Sequence, residues 1–303
     1  MAGLPLLRRV SQAPGRSPYP EITGRAVVAE ARRRGADLLL VAGDVSAGGA
    51  PRDLAAARHV MDGFGVHGHD YFAVRGNHDR AGPEGDTFHR AFPDGPGDGT
   101  YFAHDVGGLR IIGLDTYEKA GTGADAGGMG GGAAGVAAGA AAGGAGTADA
   151  RLRPPSADGA ALPVPGERRQ RMSRGQARAV LAAYAAARGV FLHHAGHTHR
   201  TKRTVLNEAP HVTFQEVSAV KDYPKGFSLL RLHTAGYALN HDAPRDPSAR
   251  AWVERGRRIA GGLWPHHALG QAVTDRNSVA AHDLSGITRP APRDPVPGRL
   301  TAA

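Results

Sequence analysis

The chain predicts an α/β fold in which strands end in polar loops, and three observations carry that expectation. Ala36–Ala42 (ADLLLVA) and Asp70–Val74 are continuous apolar runs of the kind buried on both faces of a parallel sheet. Helix-like stretches precede both runs, which gives the strand, loop, helix, strand punctuation of a βαβ unit. Three apolar runs then break at a glycine followed by polar residues: Gly43-Asp44, Gly76-Asn77-His78-Asp79 and Gly196-His197-Thr198-His199.

Taken in order, Glu21–Arg34 places Ile22, Ala26, Val27 and Ala29–Ala31 as an amphipathic helix that closes at Gly35 behind basic residues. The first strand, 36–42, follows. Pro51 suits a first helical position, and Asp53–Phe64 forms the next helix before the strand at 70–74. Tyr101–His104 and Leu109–Asp115 read as a hairpin turned at Gly107-Gly108. From about 120 to 175 the pattern collapses into Gly and Ala and then Arg, Pro and Ser, which cannot bury enough apolar surface to offset the entropy of ordering. Order resumes with the Ala-rich helix Gln176–Arg188 and the strand Val190–Leu192. Arg203–Leu206, His211–Val217, Phe227–His233 and Tyr237–His241 read as consecutive antiparallel strands, with a helix over Ser248–Ile259. The expected organisation is an N-terminal segment 1–20 of uncertain character, one domain over 21–260 interrupted at 120–175, and a disordered tail over 276–303.

Composition excludes several classes. The chain has 303 residues, enough for a large core, and no cysteine, which removes disulfides and thiolate metal sites. No run of eighteen apolar residues is present, so no membrane span is expected. The opening MAGLPLLRRVSQAPG lacks an apolar core of signal-peptide length, which makes the cytoplasm the expected compartment. The net charge of +9 is concentrated at 1–20 (+3), 151–178 (+5) and 276–303 (+2), leaving −1 for the remainder. A nucleic-acid groove would carry its excess on folded faces, so nucleic acid is not the expected partner.

The three polar loops carry coherent chemistry. At the C-terminal edge of a parallel sheet, Asp44, Asn77, His197 and His199 can converge on one pocket. A carboxylate can bridge two cations, while an amide oxygen and imidazoles are neutral ligands for Mn, Fe or Zn. His78 is then left over as a proton donor. Taken singly, Asp44 and Asn77 also suit tight turns, and His78 and His197 suit ordinary loops. Their coincidence at three strand ends favours a site. His59, His67, His69, His89, His104, His211, His233 and His266-His267 read as surface or core residues.

GD at 43–44, GNHD at 76–79 and GHTH at 196–199, in that order and each after an apolar strand, resemble the signature of the calcineurin-like metallophosphoesterases. The likeness covers about residues 21–119 and 176–241. Ser218–Gly226 (SAVKDYPKG) resembles the segment after GHTH in a bacterial branch related to cyclic-nucleotide phosphodiesterases. This resemblance implies a two-layer sandwich of mixed β-sheets flanked by helices, a four-layer αββα arrangement, holding two divalent metal ions about 4 Å apart. It also implies roles. Asp44 bridges both ions, Asn77 and His197 serve one, His199 serves the other, and a metal-bridging hydroxide attacks a small-molecule phosphate ester, a diester in preference to a monoester. His78 protonates the leaving alkoxide or stabilises phosphoryl charge, and Asp79 orients that region.

The chain departs from the family pattern twice. The Asp-x-His of the opening strand is missing, since no Asp precedes Asp37 and no His precedes His59. The mid-chain His ligand is missing too, because no His occurs from Thr116 to Gly189. His193-His194 read as incidental to the GHTH strand, the alternative being a remnant of that missing element. Both gaps fall in segments of odd composition, which points to a misplaced or truncated start and a frame-shifted or degenerate middle. The coding DNA read in three frames tests this: no recoverable Asp-x-His and no His-containing strand would make the losses real. The expected consequence is an impaired hydrolase. The alternative is a catalytically silent binding scaffold on the same fold, and a nucleic-acid-binding protein is the third reading.

Overall fold

Alternation along two three-residue strands sets the layering. The computed structural model describes residues 21–46, 48–76, 78–79, 87–93, 102–114, 135–140, 174–224 and 226–290. Strands β1 (Leu39–Val41) and β2 (Tyr71–Ala73) pair in parallel, Leu39 opposite Tyr71 and Val41 opposite Ala73. Leu39, Val41, Tyr71 and Ala73 pack into a core with Val28 and Ala31 of helix α1 (Glu21–Arg33), Leu54 and Val60 of α2 (Pro51–Asp62), and Phe88 of α3 (Thr87–Ala91). The intervening Leu40 and Phe72, with Val74, join a second core beneath. Period-two patterning thus feeds two layers at once.

The second core also draws on the hairpin β3 (Phe102–Val106) and β4 (Leu109–Leu114), on Phe191 and Leu192 of β6 (Val190–Ala195), and on Tyr237 and Leu239 of β10 (Gly236–Asp242). The hairpin turn is as expected. Gly107 and Gly108 both have positive φ, +55° and +78°, which a two-residue type I′ turn requires. On the far side of the larger sheet, Val180, Leu181 and Tyr184 of α4 (Arg174–Ala186) pack on Leu114 and on Val212 and Phe214 of β8 (Ala209–Glu216). Helices therefore flank sheets that share an interior core, a mixed α/β arrangement consistent with the expected sandwich.

Several expectations are corrected. With β5 (Gly135–Ala140) and β7 (Lys202–Leu206), the larger sheet has six strands in the order β3-β4-β5-β6-β8-β7, and only β6 and β8 are parallel neighbours. Strand β5 comes from the Gly/Ala stretch expected to form nothing; its backbone pairs antiparallel with β4 on one side and β6 on the other. The four downstream strands are not one antiparallel run. The hairpin β7-β8 belongs to the six-stranded sheet, whereas β9 (Phe227–His233) and β10 form a separate three-stranded sheet with β11 (Asn277–Ala281).

Strand β11 also corrects the expectation of a disordered tail over 276–303 as far as residue 290, and the rest of that span lies outside the described residues. Asn277–Ala281 pairs with β10 in a five-residue register, Leu284 is buried in the central core, and the Thr288 amide donates to Gly107 O at 2.8 Å. Arg289 then binds Asp37 at the approach to β1, with Nε 2.9 Å from Oδ1. The expected helix over 248–259 is α5 (Pro247–Glu254) continued by a 3-10 turn, and the short α6 (Trp264–Leu269) follows. Segments 1–20, 141–173 and 291–303 lie outside the described residues. No helix among the described residues is long and apolar enough to cross a membrane.

Candidate functional site

Strands β1, β2 and β6 each end in one of the three polar loops. They are not neighbours on one parallel sheet edge, as the sequence suggested, because β6 lies in the six-stranded sheet while β1 and β2 form a separate two-stranded one. The loops still meet, through glycines. A Cβ on Gly76 would lie 2.2 Å from both the amide nitrogen and Oδ1 of Asp44, so only glycine lets the second loop close on the first. A Cβ on Gly196 would lie 2.7 Å from the Ala42 carbonyl oxygen, which brings the third loop against the end of β1.

Asp79 fastens the first two loops. It is fully buried, and its Oδ1 accepts from the Ser46 amide at 2.7 Å and the Ser46 hydroxyl at 2.8 Å. Its Oδ2 accepts from the amides of Gly76 at 3.0 Å and Val45 at 3.2 Å. Burial, with a smaller push from Asp44's negative charge, raises the carboxyl to about 6 against these hydrogen bonds. Asp79 is thus a loop-to-loop brace, and the carboxylate Asp44 is set in turn by the His78 amide, which donates to its Oδ1 at 2.8 Å. His78 itself is exposed beside Asp44.

Three of the residues expected as ligands share an uncommon backbone conformation. Among the described residues, the non-glycine residues with positive φ are Asp44 (+54°), His197 (+76°) and His199 (+54°). This left-handed conformation is uncommon outside glycine, costs of order 1–3 kcal/mol per residue, and gathers at functional sites. Asn77, the fourth expected ligand, lies outside the described residues.

The GHTH loop is framed from β8 and beyond. Glu216 lies beside Ala195 in the parallel register, accepts from the Thr198 hydroxyl, and forms a two-pronged ion pair with Arg200 at 2.8 Å for each contact. His199 Nδ1 donates to Asp222 Oδ2 at 2.7 Å, and His267 Nε2 donates to the Thr198 carbonyl at 3.0 Å. Burial pushes the Asp222 carboxyl up, but the hydrogen bond and charge of His199, with Lys221, outweigh it and hold the group below its ordinary value. Sequence reasoning missed Asp222, Glu216 and Ser46. Asp222 lies within the SAVKDYPKG stretch and Ser46 two residues past Asp44, but neither was given a role.

Residues 24–129 match the sequence model of the calcineurin-like phosphoesterases. Over that span, about a third of the chain, the sequence is similar to that family. No curated protein matches the chain. The phosphoesterase match takes in Asp44, Asn77, His78 and Asp79 and stops before GHTH. The likeness points to metal-dependent hydrolysis of phosphoric esters, and the donor set suits it in kind. Asp44 offers a carboxylate, His197 and His199 offer imidazoles, and the Nδ1–Asp222 bond makes Nε2 the acceptor nitrogen of His199. Among the described residues, no three His, Asp or Glu side chains are grouped closely enough to hold an ion. His193 and His194 lie on β6, the strand that leads into the GHTH loop. His193 is buried with Nδ1 bonded to the Tyr184 hydroxyl at 2.9 Å, and burial holds both rings neutral, at about 3 and 4.

Proposed function

We propose that the chain is a metal-dependent phosphodiesterase acting on a small-molecule phosphate ester, with Asp44, Asn77, His197 and His199 holding divalent ions of the Mn, Fe or Zn type. The observation that supports it most is the left-handed backbone at Asp44, His197 and His199, three residues from two of the motifs that are the non-glycine positive-φ positions among the described residues. Divalent cations held there supply Lewis acidity toward a phosphoryl oxygen and toward water. The chain's own residues supply the rest. His78, exposed beside Asp44, is the proton donor to the departing alkoxide. Asp79 keeps His78 and Asp44 in one frame by bracing their loops.

The test is hydrolysis of bis-p-nitrophenyl phosphate and p-nitrophenyl phosphate by the full chain with Mn²⁺. The expected result is metal-dependent cleavage with the diester preferred, abolished by Asp44→Ala and slowed by His78→Ala. Equal or faster monoester cleavage would remove the diester assignment. No metal-dependent cleavage of either ester would favour a second reading, a silent binding scaffold, for which the lack of a three-ligand group among the described residues speaks.

A further inference from the structure

We propose that Asp222 is a positioning residue that fixes the proton of His199 on Nδ1 and so presents a bare Nε2 to the metal. The inference rests on the metal reading given above. His199 Nδ1 lies 2.7 Å from Asp222 Oδ2, so the imidazole donates through that nitrogen. A neutral imidazole carries one proton; with it committed to Nδ1, Nε2 is the acceptor and the ligating atom. A carboxylate behind a histidine also raises the ring's basicity and locks its orientation.

The surroundings fit a device for holding one ring. Trp264 lies perpendicular to His199 at a centroid distance of 6.3 Å, inside the range of an edge-to-face pair, and limits rotation of the imidazole. The indole is itself fixed, since Nε1 donates to the Tyr223 carbonyl at 3.0 Å, one residue beyond Asp222. The same short helix α6 supplies His267, which binds the Thr198 carbonyl. Asp222 and α6, 23 and 65 residues downstream of His199, thus close on it from two segments. Neither segment belongs to the three motifs. His199 has left-handed backbone and cannot relax into the common conformations without leaving this bracket.

The test uses the full chain in three forms, wild type, Asp222→Ala and Asp222→Asn, and two readouts. The first is the His199 tautomer in the metal-free chain by ¹⁵N NMR, its signal assigned through His199→Gln. The second is Mn²⁺ affinity by titration calorimetry, with thermal midpoints as a folding control. Expected are an Nδ1–H tautomer in wild type, a shift toward Nε2–H in Asp222→Ala, and Mn²⁺ binding weakened 10- to 100-fold at an unchanged midpoint. Asp222→Asn, whose amide oxygen still accepts, keeps the tautomer and loses less affinity. An Nε2–H tautomer in wild type overturns the inference. So does undiminished Mn²⁺ affinity in Asp222→Ala, which leaves the metal reading intact. Absence of Mn²⁺ uptake by the wild-type chain overturns both.

Discussion

Replacing Asp79 by alanine isolates the brace between the first two loops. Its carboxylate is the acceptor for four donors, the amides of Val45, Ser46 and Gly76 and the Ser46 hydroxyl, and both Ser46 and Asp79 are fully buried. A buried donor that loses its acceptor costs roughly 1–3 kcal/mol. At about 2 kcal/mol each the four lose about 8 kcal/mol. Two effects oppose this loss. The carboxyl is raised from 3.8 to about 6, so no longer burying its charge returns about 3 kcal/mol near neutral pH. Water entering the vacated space re-satisfies part of the remainder, which leaves a net destabilisation of about 3–5 kcal/mol. Asp79→Asn keeps one acceptor oxygen and loses about half as much. Urea unfolding at pH 7 measures both, with unchanged m-values as the check that the unfolded state is the same. An alanine variant within 1 kcal/mol of wild type, or an asparagine variant less stable than it, refutes the brace.

Other expectations follow from the same geometry. Gly76→Ala forces a methyl to 2.2 Å from the Asp44 backbone and side chain, and Gly196→Ala one to 2.7 Å from Ala42 O. Each should cost about 1–3 kcal/mol in denaturant unfolding, Gly76 the more, and neutrality of both would mean the loops do not converge. His193, His194 and His241 are held neutral by burial, from 6.5 down to about 3, 4 and 4, with His193 disfavoured further by His194 and His241 by Arg276. The unfolded chain takes up protons on them below pH 6.5 and the folded chain does not, so stability held above pH 6.5 is lost as pH falls toward 4. Thermal midpoints across that window should decline, less steeply in His193→Phe; a flat or rising profile contradicts it. Leu284→Ala, in the tail expected to be disordered, should cost about 2–5 kcal/mol because the residue is buried in the central core, and a negligible change in urea midpoint would return the tail to disorder.

What the sequence made legible was what leaves a period or a punctuation mark. Leu39 to Val41 and Tyr71 to Ala73 read as strands because each is uniformly apolar, and Gly107-Gly108 gave the hairpin because only glycine suits both turn positions. Convergence was expected from one parallel sheet edge, whereas the loops meet from two different sheets through the close approaches at Gly76 and Gly196. Strand β5 was hidden because GVAAGA offers almost no side chain to read, and its place is set by backbone pairing on both edges. Strand β11 was hidden for a related reason. Asn277–Ala281 has one large apolar residue, Val279, and that residue is exposed, so register with β10 rather than burial holds it. Asp222 lies inside the noted SAVKDYPKG stretch, but its role could not be read there because a lone carboxylate in a loop has no periodicity, and the tertiary fold is what returns it to His199.

The central claim is that loops far apart in sequence form one metal site for phosphoester chemistry. Counting Mn²⁺ bound per chain by equilibrium dialysis, in wild type, Asp44→Ala and His197→Ala, tests it most directly. Wild-type uptake that falls sharply with either substitution is the predicted result. No uptake in wild type, or uptake indifferent to both changes, would contradict it.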